Sequence, residues 1–147
     1  MLYICNVYRP PSADDKIFLA LATDIEKFQA SSVKSKVFLF GDFNCHHSSW
    51  LGSTDLHGKG KTNSAGVACF TLCQTTGLKN VIKGNTNLIN SGKVESTLAL
   101  TDSRNEISRV SFENPVGATA HCRIVVELKF APKSQYFYKD QLEIPSR

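Results

Sequence analysis

The chain has 147 residues and lacks several familiar signatures. It has no C-x-x-C pair among its five cysteines, and an odd count without that spacing speaks for reduced intracellular thiols rather than a disulfide framework. No stretch reaches the length of an apolar membrane span, and no basic segment followed by an apolar run and a small-residue cleavage site opens the chain, so neither a membrane nor a secreted form is expected. There is no internal repeat, and strands and helices do not alternate as regular βαβ units, which disfavours a doubly wound parallel sheet. Charge is modest: 17 Lys and Arg stand against 13 Asp and Glu, dispersed along the chain. That excess is compatible with a polyanionic partner but hardly singles out nucleic acid. With 41% hydrophobic and 20% charged residues, the composition is that of an ordinary globular protein able to bury one core.

What is present is a strong local pattern. Val37-Phe38-Leu39-Phe40 is a continuous apolar run suited to a central strand covered on both faces, and it leads into Gly41-Asp42-Phe43-Asn44. Gly41 supplies the backbone freedom to turn out of the strand. In extended backbone, residues two apart share a face, so Asp42 and Asn44 are expected to look into one site while Phe43 packs back. A carboxylate and an amide so placed can hold a water or a phosphate oxygen, with Asp42 as base or metal ligand and Asn44 as an orienting donor. The plainer alternative is an Asx turn after a strand.

Around this corner, Leu2 to Tyr8 reads as a strand broken at Arg9-Pro10-Pro11-Ser12. Ser12 with Asp15 resembles a capping box, and Ile17, Leu21, Ile25 and Phe28 recur at helical spacing. The polar stretch from Cys45 to Thr62 is long for a plain connection and is a candidate functional loop. Asn63 is placed to cap a second helix through Val67, Phe70 and Cys73, closed by Gly77. Short strands follow at 80–82, 96–101, 107–112 and 122–130. The expected fold class is α/β: a mixed, largely antiparallel β-sandwich flanked by helices, in a domain over 1–130 with a C-terminal extension over 131–147.

Four segments in order, Val7-Tyr8-Arg9-Pro10-Pro11-Ser12, Phe38 through Asn44, Ser96-Thr97-Leu98-Ala99-Leu100-Thr101 and Pro115-Val116-Gly117-Ala118-Thr119-Ala120-His121, resemble the endonuclease/exonuclease/phosphatase superfamily. The likeness is specifically to the endonuclease domains of non-LTR retrotransposon polyproteins of the jockey or RTE type. It implies metal-assisted phosphodiester hydrolysis with Mg²⁺ or Mn²⁺, DNA as partner, no membrane, and an intracellular site of action that is nuclear if the chain acts on DNA. Residue by residue, Asp42 matches the general base and metal-side carboxylate, and Asn44 the amide that orients water and phosphate near the metal. Tyr8 matches the strand-end phosphate contact, and His121 the histidine that stabilises phosphoryl charge. Read without the family, Tyr8 is an edge aromatic and His121 a core histidine.

The chain also departs from that pattern. Ala99 stands where the family's Leu-Asp-Leu strand carries the carboxylate that orients the histidine, and Ala120 where its Ser-Asp-His motif carries a second. The upstream strands bearing the family's Asn and main metal-binding Glu have no counterpart before Tyr8, so only the C-terminal portion of the domain is expected, with an exposed sheet edge. Asp102 lies three residues beyond Ala99 and Glu95 precedes the strand, so neither replaces the missing groups. The sequence therefore leaves three functions open: an impaired DNA-nicking enzyme, a non-catalytic nucleic-acid-binding or interaction module, and a fragment without function.

Other clusters carry less. Cys45-His46-His47 with His57 lacks zinc-ligand spacing, because adjacent histidines cannot easily both reach one ion. Cys69 and Cys73 share a helical face and read as packing. Trp50 is a loop anchor or a base-stacking contact, and Lys59 and Lys61 are solvated or phosphate-facing.

Overall fold

The computed structural model describes residues 1–50, 62–82, 97–115, 117 and 122–129. Strand β1 is Leu2–Tyr8, helix α1 Lys16–Ala30, β2 Lys36–Asp42, helix α2 Ser64–Thr76, β3 Lys79–Asn80, β4 Thr97–Thr101, β5 Ile107–Glu113 and β6 Arg123–Leu128. One sheet has the order β1-β2-β4-β3, and β5 and β6 form a second. β1 runs parallel to β2, whereas the β2–β4, β3–β4 and β5–β6 pairs are antiparallel. The architecture is thus a mixed, largely antiparallel α/β arrangement, and β2 is central as its apolar run demands.

The two faces of β2 serve two cores. Val37 and Leu39, with Val7 of β1 and Leu98 and Leu100 of β4, meet Phe18 and Ile25 of α1 and Cys69 and Leu72 of α2. The opposite face carries Phe40 and Ala99, which pack with Ile107, Val110, Ile124 and Val126 of the second sheet. Both helices therefore cover one side of the large sheet and the β5–β6 hairpin the other. Burial of aliphatic and aromatic side chains on this scale, at ~25 cal/mol per Å² of apolar surface, is the main force holding the layers together.

Local signals explain most element ends, with corrections. Asn63 caps α2 by accepting from the Gly66 N–H at 2.7 Å, and Gly77 closes it in the left-handed conformation at φ 73°. The α2 face turned inward is Ala65, Cys69, Leu72 and Cys73, not Val67, which is 53% exposed. Helix α1 starts at Lys16 rather than after Ser12, with Asp15 as N-cap residue and no side-chain cap. Asp15 cannot cap because its carboxylate is engaged by Arg9 at 2.6 Å. Asp14 instead accepts from the Lys16 N–H at 2.9 Å, and that bond holds its carboxyl below the ordinary carboxylate range. The deepest α1 residues are Phe18, Ala22 and Ile25, while Ile17, Leu21 and Phe28 flank them.

Candidate functional site at the carboxyl end of β2

Gly41 does not turn the chain out of β2; the strand continues to Asp42. Its φ of +137° and its missing side chain serve another purpose, since a Cβ there would lie 1.9 Å from the Val7 carbonyl oxygen. The glycine lets β1 close on β2, and the parallel register then sets Tyr8 opposite Asp42. Tyr8 is 70% exposed, so its ring stands at the rim with the phenol in solvent.

Beyond Asp42 the chain leaves extended geometry. Phe43 is fully buried in the helix-side core, and Asn44 adopts φ 44°, the one positive φ outside glycine among the described residues. Asn is among the few residues that enter this region readily. Asp42 Oδ1 accepts from the Asn44 N–H at 3.1 Å, which is an Asx turn. The alternation expected of Asp42 and Asn44 is therefore replaced by a tight corner, and the turn and the pairing of the two polar groups coexist. Asp42 and Asn44 do come together, with Tyr8 beside them.

Sequence reasoning missed the residue that organises the corner. Arg9 is 3% exposed although it follows exposed Tyr8. Its N–H donates to the Asp42 carbonyl at 2.9 Å, and its own carbonyl accepts from Asn44 Nδ2 at 2.7 Å. Its guanidinium donates to the Asn44 carbonyl at 3.4 Å, to the Pro10 carbonyl at 3.3 Å and to the Ala13 carbonyl. The available signal was an arginine at a strand end, held rigid by Pro10-Pro11, with an acid six residues on.

Two oxygens of the corner, Asp42 Oδ2 and Asn44 Oδ1, accept no hydrogen bond from a described residue. They are hard donors of the kind Mg²⁺ takes together with water and phosphate oxygens. Among the described residues no group of three or more His, Cys, Asp or Glu is placed to hold a metal ion. The two oxygens fit a cation that water and phosphate oxygens complete.

Other expected site residues fare differently. His121 and Ala120 lie outside the described residues, as do Glu95, His57, Lys59 and Lys61. Ala99 is buried opposite Phe40, and its surroundings are Ile124, Val126 and a cavity of about 360 Å³ that reaches Gly41 and Thr97. Asp102 lies at the far end of β2 from Asp42, because β4 runs antiparallel and pairs Thr101 with Phe38. There it accepts from the Val37 N–H and from Gln29 Nε2, both at 2.9 Å. It is a structural tie and no substitute for the carboxylate absent at Ala99.

In the loop after the corner, the His47 ring stacks on Phe70 at 4.1 Å between centroids. The main chain of His46 is held by Asn63, whose Oδ1 accepts from the His46 N–H at 3.1 Å. Trp50 ends a short 3-10 turn at Ser48–Trp50. No helix among the described residues is long and apolar enough to cross a membrane.

Residues 2–124 match a protein family described as endonuclease-reverse transcriptase. The backbone superposes on the endonuclease domain of TRAS1, a telomere-specific non-LTR retrotransposon, with a TM-score of 0.59 at 17% sequence identity. The match covers 84% of this chain and 55% of that one, so the chain spans about half the length of that structure. A likeness at this identity establishes the fold. Among curated proteins no match was found.

Proposed function

Because the chain belongs to the endonuclease-reverse transcriptase family, we propose that it derives from a retrotransposon endonuclease whose chemistry is divalent-metal hydrolysis of DNA phosphodiesters, impaired here by Ala99 and Ala120. The observation that carries the reading is the corner itself: exposed Tyr8, Asp42 and Asn44 meet at the carboxyl end of β2 with two oxygens that accept no hydrogen bond from a described residue.

Asp42 and Asn44 would hold Mg²⁺ or Mn²⁺ through those oxygens. When bound, the cation supplies charge neutralisation at the phosphate and at the leaving oxygen. Asp42 accepts a proton from an attacking water or sets its direction, and Asn44 fixes the position of water and phosphate. Tyr8 donates its phenol O–H to a phosphate oxygen, and His121 takes the family's role at the phosphoryl oxygens. An alanine at 99 cannot orient that histidine, and an alanine at 120 cannot accept a proton. Positioned acid-base groups contribute about 10²–10⁴-fold each, so the losses weigh heavily on rate while leaving DNA binding to the corner and to the +4 net charge. A DNA substrate places the site of action in the nucleus.

Nicking of supercoiled plasmid by the purified chain with Mn²⁺ tests this. Weak nicking abolished by Asp42→Ala, and raised about 10²-fold or more by Ala99→Asp with Ala120→Asp, is the expected result. Absence of nicking in both the chain and the restored double variant sinks the enzyme reading.

A second reading is favoured by the apolar setting of Ala99: a non-catalytic module that binds nucleic acid. It predicts salt-sensitive DNA binding that is indifferent to Mg²⁺, and failure to bind at low salt removes it.

A further inference from the structure

We propose that Arg9 is a positioning residue that sets the orientation of the Asn44 carboxamide, acting from the interior without touching substrate. The inference rests on the reading of Asn44 as a contact for metal and phosphate.

A basic side chain beside a proposed DNA site would ordinarily be assigned to the phosphate backbone. Arg9 is not available for that, because its side chain is 4% exposed and the donors on both its terminal nitrogens are already committed. They go to the carbonyls of Pro10, Ala13 and Asn44 and to Asp15 Oδ1. The cation also sits over the Phe18 ring, 5.7 Å from its centroid. Nε is buried with no partner among the described residues, so the side chain is held through its two terminal nitrogens.

Arg9 meets Asn44 on both sides. Its guanidinium takes the Asn44 carbonyl, which holds the main chain in its positive-φ conformation, while its own carbonyl takes Asn44 Nδ2. A carbonyl can only accept. The NH₂ end of Asn44 must therefore face Arg9, and Oδ1 is the end left without a hydrogen bond from a described residue. Asn44 is thereby oriented in the way that outer hydrogen bonds orient metal ligands. Lysine keeps the backbone carbonyl but not the two-armed guanidinium that spans Asp15 and the Asn44 carbonyl, so Arg9→Lys isolates what the side chain adds by holding the Asn44 main chain against that carbonyl.

The test is nuclear magnetic resonance of the full chain and of Arg9→Lys, following the Asn44 side-chain amide and its paramagnetic broadening by Mn²⁺. In the unmodified chain the amide protons exchange slowly and Mn²⁺ broadens Asn44 and Asp42. In Arg9→Lys the exchange accelerates and the Mn²⁺ Kd weakens by about 10–100-fold. A folded Arg9→Lys with unchanged amide exchange overturns the inference. If Mn²⁺ fails to broaden the corner of the unmodified chain, the metal reading falls, while amide exchange still decides the role of Arg9. Should Arg9→Lys not fold, scalar coupling across the hydrogen bond between Asn44 Nδ2 and the Arg9 carbonyl carbon decides it: its presence supports the orientation and its absence overturns it.

Discussion

Gly41 and Val7 are opposite each other in the parallel β1–β2 pair, so close that a Cβ on Gly41 would lie 1.9 Å from the Val7 carbonyl oxygen. No rotamer relieves a clash between Cβ and backbone. Gly41→Ala is expected to separate the strands at the corner and to lower stability by about 2–4 kcal/mol, combining a positive-φ penalty with overpacking. Urea denaturation measures the loss, and a change under about 0.5 kcal/mol, the range of inconsequential surface substitutions, contradicts the close approach.

Asp102 ties the opposite end of the same strand. Replacing it by alanine leaves the Val37 N–H without its acceptor and Gln29 Nε2 with the Thr76 carbonyl alone, a cost of about 1–3 kcal/mol for the buried donor. The same variant is expected to leave nicking per folded molecule unchanged. A folded Asp102→Ala that loses nicking would show that the carboxylate acts in chemistry after all.

Asn63 serves two segments at once, accepting from Gly66 N–H and from His46 N–H through one oxygen. Asn63→Ala should therefore exceed an ordinary lost cap and cost about 2 kcal/mol, the upper end for such substitutions. Asn63→Asp keeps the acceptor and adds negative charge at a helix N-terminus, so it should be close to neutral. Thermal melting of both variants distinguishes the double role from helix capping alone.

The thiols divide by burial. Cys45, Cys69 and Cys73 are buried together, and hydrogen bonds with Cys45 and Cys73, then burial, push the Cys69 thiol well above its ordinary 9.0. A thiol so raised holds its proton at pH 8, and the thiolate is the reactive form. Maleimide labelling at pH 8 should therefore mark Cys5 and Cys122 in the folded chain and the other three only in urea. Burial also raises the Cys5 thiol from its ordinary 9.0, which should slow its labelling relative to a free thiol. The sign for stability follows: the contribution is complete below the unfolded value near 9 and is lost as pH rises through the folded one. A urea midpoint that rises between pH 9 and 11 contradicts it.

Much of this was legible residue by residue. Asn63 and Gly77 announce α2, because a cap is satisfied by neighbours three or four residues away. The run Val37 to Phe40 announces a central strand, because only a strand covered on both faces tolerates apolar residues at successive positions. The inward faces of the helices were less legible. Val67, expected on the inward stripe, is exposed, and Phe18, outside the expected stripe of its helix, is buried, because the sheet and the other helix decide which stripe is covered.

The sequence by itself determined that a carboxylate and an amide stand at the end of an apolar strand, and its motif order pointed to the family. Tertiary structure decided what those groups do locally. The pairing of Tyr8 with Asp42 requires β1 and β2 to be parallel, a contact across 34 residues that no local pattern encodes. The orientation of Asn44 requires a carbonyl 35 residues away, and the burial of Arg9 requires α1 to bring Asp15 and Phe18 beside it. Periodicity and capping are short-range properties of a chain, whereas the direction of a hydrogen bond at a strand end is set by whichever distant backbone the packing delivers there.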